Sequence, residues 1–279
     1  MSRWATGMLL VIGMTVIPAE AVGSKEPLMS SNSGSEITIT TAFDNYDVDA
    51  QLATRWGFAA VILTPSSTVL FDTGDDGATL LSNMKRLGFD PNGIDKVVIS
   101  HIHADHIGGL RDVLRTNAKV QVFIPRSFPE HVRQAIDRAG ATHRDVDGLT
   151  RIAPGIHTTG PLGTSLQEQA LVVETREGLV VITGCAHPGI VSIVQKAKTV
   201  NPKADIALVM GGFHLLSSSR NGIDEIIRAF RKLGVQRVAP SHCTGDLARS
   251  RFKAAYQANY VDGGVGLILK FSAPQEPNK

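Results

Sequence analysis

The stretch Ser100-His101-Ile102-His103-Ala104-Asp105-His106-Ile107-Gly108-Gly109 places three histidines and one aspartate in a His-x-His-x-Asp-His spacing. Neutral imidazole and carboxylate are the ligand types of zinc, iron and manganese sites, and zinc is the commonest hydrolytic choice. The spacing also sorts the donors. In an extended segment alternate side chains point the same way, so His101 and His103 can converge on one ion. Asp105 and His106 lie past the bend and point to a second position. One histidine in such a loop would read as an ordinary surface residue; the whole cluster, set between a strand and a helix, reads as a metal site.

The elements around the cluster follow from apolar patterning. Val97, Val98 and Ile99 form a β-branched run behind the turn signal Asp90-Pro91-Asn92-Gly93, which predicts a buried strand. His101 to Asp105 then form the loop at its carboxyl end, where open α/β sheets place their ligand sites. His106 is expected to open a helix reaching to about Arg115, with Gly108 and Gly109 allowing a close approach of its first turn. One strand earlier, Val69-Leu70-Phe71 runs into Asp72-Thr73-Gly74, ahead of a helix from about Ala78 to Leu87. Asp72 is expected to accept hydrogen bonds from a ligand histidine or from loop amides rather than bind metal itself. Capping the turn is its competing role.

The same strand, loop, helix order recurs downstream. Leu179 to Thr183 empties into Gly184-Cys185-Ala186-His187-Pro188-Gly189, before a helix from about Ile190 to Val200. Ile206 to Met210 leads to Gly211-Gly212-Phe213-His214, then a helix from Ile223 to Leu233. Arg237 to Pro240 leads to Ser241-His242-Cys243-Thr244-Gly245, then a helix to about Gln257. Singly, His187, His214 and His242 could cap a helix or satisfy a buried carbonyl. Beside the His101 cluster they read differently, because a two-ion site needs more ligands than one loop supplies.

Further strands are expected at Glu36 to Thr40, in a hairpin of Phe58 to Leu63 with Thr68 to Phe71, and at Val120 to Ile124. Others are a hairpin of Ala170 to Glu174 with Leu179 to Thr183, and a closing strand from Val265 to Phe271. Pro129 to Ala139 reads as a helix. The stretch from Gly140 to Gly163 reads as irregular and as shaping substrate access. His131, His143 and His157 have no ligand spacing and read as ordinary histidines. The predicted architecture is α/β: two sheets face to face with helices outside, a four-layered αββα sandwich.

Residues 1–21 read as a secretory signal peptide, with Arg3, an apolar run from Trp4 to Ile17 and the small-x-small pattern Ala19-Glu20-Ala21. Residues 22–35 read as a flexible leader, 36–273 as the folded domain and 274–279 as a C-terminal tail. Export implies a periplasmic or secreted protein with no membrane attachment once the signal is removed. Cys185 and Cys243 each sit beside a histidine in a glycine-containing loop and look like site residues rather than a disulfide framework, although a bridge is possible if both loops line one pocket. A net charge of +2 is too small for an electrostatic grip on nucleic acid, and no aromatic stacking platform accompanies it. A small-molecule substrate is expected.

The His101 to His106 motif resembles the signature of the metallo-β-lactamase-fold superfamily, and the resemblance spans Ile37 to Phe271. The phrases Phe71-Asp72-Thr73-Gly74, Thr183-Gly184-Cys185-Ala186-His187, Gly211-Gly212-Phe213-His214-Leu215 and His242-Cys243-Thr244-Gly245 resemble one branch in particular. It is the 7,8-dihydropterin-6-yl-methyl-4-(β-D-ribofuranosyl)aminobenzene 5′-phosphate synthase-like branch. The resemblance implies that His101 and His103 hold one metal with His187, while Asp105 and His106 hold the other with His242. Where many superfamily members have a bridging aspartate, this chain has Cys185; either it is a ligand, or the loop contributes His187 and water alone bridges. His214 is a further candidate, as a ligand or as an acid facing the substrate.

The implied chemistry is metal-assisted hydrolysis. Two cations, zinc with iron or manganese as alternatives, would lower the pKa of a shared water to about 7 and hold the hydroxide as nucleophile. Asp105 would orient that nucleophile as well as bind metal, and a protonated His214 could assist the leaving group. Amides such as β-lactams, lactones and phosphoesters all suit this chemistry, although the Cys185 and Cys243 loops differ from the usual β-lactamase and lactonase patterns. The branch name implies a pterin-linked synthase, an activity poorly matched to an exported protein. The alternative is a non-hydrolytic metalloprotein, an iron redox enzyme or a metal-dependent binding module, which the missing bridging carboxylate favours and the intact first cluster opposes.

Overall fold

Alternation along the strands decides how this chain layers. The structure, a computed structural model, describes residues 35–274. The signal peptide expected at 1–21, nearly all of the leader expected at 22–35 and most of the tail expected at 274–279 lie outside the described residues. The first sheet contains β1 (Glu36–Phe43), β2 (Ala59–Leu63), β3 (Thr68–Phe71), β4 (Lys96–Val98), β5 (Gln121–Pro125) and β6 (Thr142–Val146). The second contains β7 (Thr150–Ala153), β8 (Ile156–Thr158), β9 (Leu171–Thr175), β10 (Gly178–Thr183), β11 (Ile206–Gly212) and β12 (Val235–Ser241). A last strand, β13 (Ile268–Ser272), returns to the first sheet beside β1, giving the orders β13-β1-β2-β3-β4-β5-β6 and β12-β11-β10-β9-β8-β7.

Successive residues of a strand face opposite sides, and here both sides of both sheets are apolar. Ile37, Ile39, Ala60, Ile62, Val69 and Phe71 of the first sheet meet Val180, Ile182, Leu208 and Met210 of the second in a core between the sheets. Their neighbours Val61, Leu70, Val97 and Val122 face outward onto helices α1 (Gly77–Arg86), α3 (Leu110–Thr116) and α4 (Glu130–Arg138) through Leu80, Met84, Val113 and Ile136. On the far side, Val172, Val181 and Val209 pack under α5 (Ile190–Ala197), α6 (Arg220–Lys232) and α7 (Asp246–Tyr256) through Ile193, Val194, Phe230 and Phe252. This is the expected αββα sandwich. Truncating a fully buried ring between the sheets, such as Phe71, would cost about 3–5 kcal/mol through the cavity it leaves.

Strand direction then fixes where loops can meet. β3 to β6 are mutually parallel, and β1 runs antiparallel to β2 as β2 does to β3, so β1 and β3 share a direction. β10, β11 and β12 are parallel to one another. The loops after β1, β3 and β4 in one sheet and after β10, β11 and β12 in the other converge at one edge of the sandwich.

Three expectations are corrected. The stretch from Gly140 to Gly163 is not irregular: it holds β6, β7 and β8. β6 is an edge strand of mostly polar residues, Thr142-His143-Arg144-Asp145, so no apolar run marks it. The helix expected from His106 to Arg115 is two helices, α2 (Ala104–Ile107) and α3. The reason is competition for its ladder: the Asp105 carbonyl accepts from Phe58 N at 3.3 Å, and Gly109 N donates to Gly74 O at 3.2 Å, so the bond that would join them is never made. The closing strand starts at Ile268 rather than Val265, because Val265 bridges to Asp47 and Gly266 turns the chain at φ +90°.

Candidate metal centre

The first wall of the centre is built by one strand end. His101 and His103 lie in the loop after β4, His103 with extended backbone, and Asp105 and His106 lie in the single turn of α2. Behind them Asp72, fully buried at the end of β3, accepts from Ser100 N at 2.6 Å and Ser100 Oγ at 2.7 Å. Its Oδ2 also lies 2.7 Å from His106 Nδ1, and Ser100 Oγ lies 2.9 Å from His101 Nδ1. Both histidines are therefore held by their Nδ1 atoms, which leaves Nε2 facing the centre. This is the supporting role expected of Asp72.

The opposite wall comes from three loops. Cys185 and His187 follow β10, His214 follows β11 and His242 follows β12. A buried carboxylate that the sequence reading missed, Glu168, holds the first of these loops: it accepts from Cys185 N at 2.9 Å, Ala186 N at 2.8 Å and His187 N at 2.8 Å. Asn45, also missed, lies just past β1 and places its Oδ1 2.9 Å from His242 Nδ1. Glu168 is the middle residue of the polar triplet Gln167-Glu168-Gln169 directly ahead of a buried apolar run, the one signal that marks it as unusual. Nothing local marks Asn45.

The two walls meet in two donor sets. His101, His103 and His187 offer one atom each within 4.8 Å of one another, and so do Asp105, His106, Cys185 and His242. Cys185 Sγ lies 3.2 Å from His106 Nε2 and 3.3 Å from His242 Nε2, and Asp105 Oδ2 lies 3.3 Å from His242 Nε2. The sets share a boundary, with the His101 and His106 rings 4.2 Å apart. All the ligands expected for the two metals are thus brought together. His214 lies against His187 with ring centroids 4.2 Å apart and planes tilted by 53°, and it faces solvent, outside both sets. His131, His143 and His157 are not at the centre; His143 pairs with Asp137 and His157 with Glu174. The exposed Trp56 lies over His242 with centroids 4.9 Å apart, a further residue that sequence reasoning passed over.

Electrostatics fit a cation. Burial and the surrounding imidazoles push His101 far below the usual histidine range and His187 down to about 4, which keeps both neutral as ligands must be. His187 Nε2 is buried with no hydrogen-bond partner, as a nitrogen reserved for a metal would be. Burial works to raise the Asp105 carboxyl, but its hydrogen bond to His242 and the nearby imidazoles hold it below the ordinary carboxylate range. For His106 burial works downward and the Asp72 carboxylate overcomes it, raising the pKa. Burial raises Glu168 against the pull of the amides it binds. The backbone is also strained here: Asp72, Ala186, His214 and His242 all have positive φ, between 48° and 64°.

A sequence profile of the metallo-β-lactamase superfamily matches residues 57–200. The chain belongs to that superfamily. Across 247 residues it is 30% identical to the 7,8-dihydropterin-6-methyl-4-(beta-D-ribofuranosyl)-aminobenzene-5'-phosphate synthase of Methanocaldococcus jannaschii, covering 73% of this chain and 84% of that one. Among solved structures it resembles Tm1679, described as a metal-dependent hydrolase of the β-lactamase superfamily, with a TM-score of 0.69 and 31% identity over 85% of this chain and 99% of that one. The fold alone is shared with YhfI from Bacillus subtilis, at a TM-score of 0.65 and 15% identity over 85% of this chain and 99% of that one. A superfamily enzyme on this fold implies a divalent metal, and the donor sets fit one.

Proposed function

We propose that this metallo-β-lactamase superfamily enzyme is a metal-dependent hydrolase of a small molecule. The observation that carries the proposal is the meeting of His101, His103 and His187 with Asp105, His106, Cys185 and His242 as two adjoining donor sets. Zinc is the favoured metal on this nitrogen-rich ligand set, with iron and manganese as alternatives. Two divalent cations bound there would supply Lewis acidity and lower the pKa of water. The chain's own part is positional. Asp72 and Ser100 orient His101 and His106, and Glu168 fixes the loop carrying Cys185 and His187. Asp105, held ionised, would serve as a metal ligand and offers a carboxylate oxygen that can accept a hydrogen bond from water. His214, at the solvent face and raised in pKa chiefly by Cys243, holds a proton that it can pass to a leaving group. Trp56 offers an aromatic face at the mouth beside His242.

Amide, lactone and phosphoester bonds all suit this machinery. The test is a side-by-side assay of a β-lactam, an acyl lactone and a phosphodiester with zinc-loaded protein, His103→Ala serving as control. Turnover of one class, lost in the variant, supports the hydrolase; no turnover of any class by a fully loaded protein counts against it. The 30% identity to the M. jannaschii enzyme favours a second reading, formation of the compound that enzyme is named for, and mass spectrometry for that product distinguishes it. Export to the periplasm or medium is supported by Arg3, the apolar run to Ile17 and Ala19-Glu20-Ala21, and N-terminal sequencing of the expressed protein checks it: a start at Val22 is expected, a start at the initiator end refutes it.

A further inference from the structure

Two side chains at the centre are left outside both donor sets. Cys243 is buried directly after His242, and His214 is exposed at the rim; with Cys185 they form a third group whose donor atoms all lie within 4.8 Å of one another. These cysteines are the two in the whole chain, and both are free thiols. The donor set is two sulfurs and one imidazole, softer than either neighbouring set.

The backbone around this trio is shaped to bring it together. A Cβ on Gly212 would stand 2.3 Å from the Gly184 carbonyl and 2.7 Å from Cys243 Sγ, so the loops after β10, β11 and β12 close on one another only because that position has no side chain. The closure is tied by Gly212 N donating to Gly184 O at 3.1 Å, Leu215 N to Cys243 O at 3.2 Å and Phe213 N to Thr244 Oγ1 at 3.1 Å. His214 is held in the left-handed region at φ +56°, where a non-glycine residue stays only under constraint from its surroundings. Cys243 Sγ meets the Cys185 carbonyl at 3.5 Å, a weak partner for a buried thiol. The exposed imidazole gives a cation a route inward.

We propose that Cys185, Cys243 and His214 form a further cation site, for a thiophilic metal ion of the copper(I) class, adjoining the two-ion centre and sharing Cys185 Sγ with it. A thiolate has lone pairs enough to touch cations on both sides. Binding displaces the thiol protons to solvent, and no electrons change hands. Filling the site also ties up the His214 nitrogen, so copper(I) suppresses any hydrolysis that draws a proton from His214; this coupling rests on the proposed hydrolase reading, while the site itself does not.

The test uses the full chain loaded with two equivalents of zinc, kept anaerobic and titrated with copper(I) supplied as its acetonitrile complex. Elemental analysis and the ultraviolet thiolate-to-copper charge-transfer band read the binding directly, without reference to activity. The expected result is one copper per chain taken up with both zincs retained, and loss of that copper in Cys243→Ser and in His214→Ala, each of which keeps its zinc. His214→Ala changes an exposed side chain and guards against a folding defect in the buried cysteine variant. Copper that displaces zinc atom for atom, or that binds equally to both variants, overturns the proposal. So does a Cys185–Cys243 disulfide found by alkylation and mass spectrometry in freshly reduced protein after the titration. Failure of the substrate panel with copper bound as expected would remove the hydrolase reading and leave this site standing.

Discussion

The two walls of the centre solve one problem by different means. The β4 wall delivers His101, His103, Asp105 and His106 from a single loop whose conformation is ordinary: His103 sits at φ −66° and α2 supplies the rest. The opposite wall collects Cys185, His187 and His242 from loops more than fifty residues apart in sequence, and holds Ala186 and His242 at positive φ. The contiguous donors themselves take their directions from ordinary backbone, and the strained residue behind them is their brace, Asp72, at φ +57°. Dispersed donors need strained residues, at about 1–3 kcal/mol each, and buried carboxylates to hold their loops. Asp72 braces two side chains, Ser100 and His106, along with the Ser100 amide on the first wall, whereas Glu168 braces three main-chain amides on the second.

That contrast predicts where each wall fails. Replacing both His101 and His103 by alanine should remove one donor set while sparing the fold, with kcat/KM falling about 10³-fold or more, the scale of several kcal/mol of lost charge stabilisation. An unchanged rate would show that the first wall is not the reactive one. Glu168→Ala should instead act on stability: three amides lose their buried acceptor, and about 3 kcal/mol is expected to go, read as a lower urea midpoint with unchanged slope. A loss of zinc affinity with stability intact would reverse the assigned roles of Glu168 and Asp72. Asp72→Asn should weaken zinc binding about 10–100-fold, the usual effect of disturbing a ligand's hydrogen-bond partner, measured by competition with a chelator.

Acid distinguishes the walls more gently. In the metal-free protein His101 and His187 have pKa values below that of an unfolded histidine, so from about pH 6.5 downward the unfolded chain takes up protons that the folded chain refuses. Stability from His187 falls as pH drops from about 6.5 to about 4, and that from His101 goes on falling below this range. His106 works the other way: its raised pKa gives a contribution fully present below about 6.5 and lost as pH rises through the folded value. The centre's histidines split into a depressed pair, His101 and His187, and a raised pair, His106 and His214, but the raised pair is already protonated in both states below about pH 6.5. Acidification below that pH therefore predicts a fall in the urea midpoint from these histidines, and a midpoint that rises instead would contradict these assignments. The smallest effects belong to His143→Ala and His157→Ala, whose partly exposed hydrogen bonds to Asp137 and Glu174 are worth about 1 kcal/mol or less; neither should alter zinc content.

The contrast also explains what could be read from sequence. The donors of the first wall were legible because its chemistry is local: a β-branched run, four donors in six residues, and glycines where Gly109 passes so near Thr73 O that an added Cβ would lie 2.3 Å away. The strands themselves were legible because both faces are buried, giving continuous apolar runs. His187 and His242 were found only through the recurrence of strand, loop and helix. The break between α2 and α3 was not, since it depends on Phe58 and Gly74 reaching in from distant loops. Nor was β6, whose polar residues are ordered by pairing with β5 rather than by their own pattern. Glu168 and Asn45 act through contacts 17 and 197 residues away, which no window on the sequence displays.

The central claim is that the two walls form one two-cation centre, and it is tested most directly by a crystal structure of the zinc-loaded protein with anomalous scattering at the zinc edge. Two peaks are predicted, one about 2.0–2.1 Å from nitrogens of His101, His103 and His187, the other within bonding distance of Asp105, His106 and His242. A single zinc held by the first wall alone, or zinc bound away from these residues, would contradict the account.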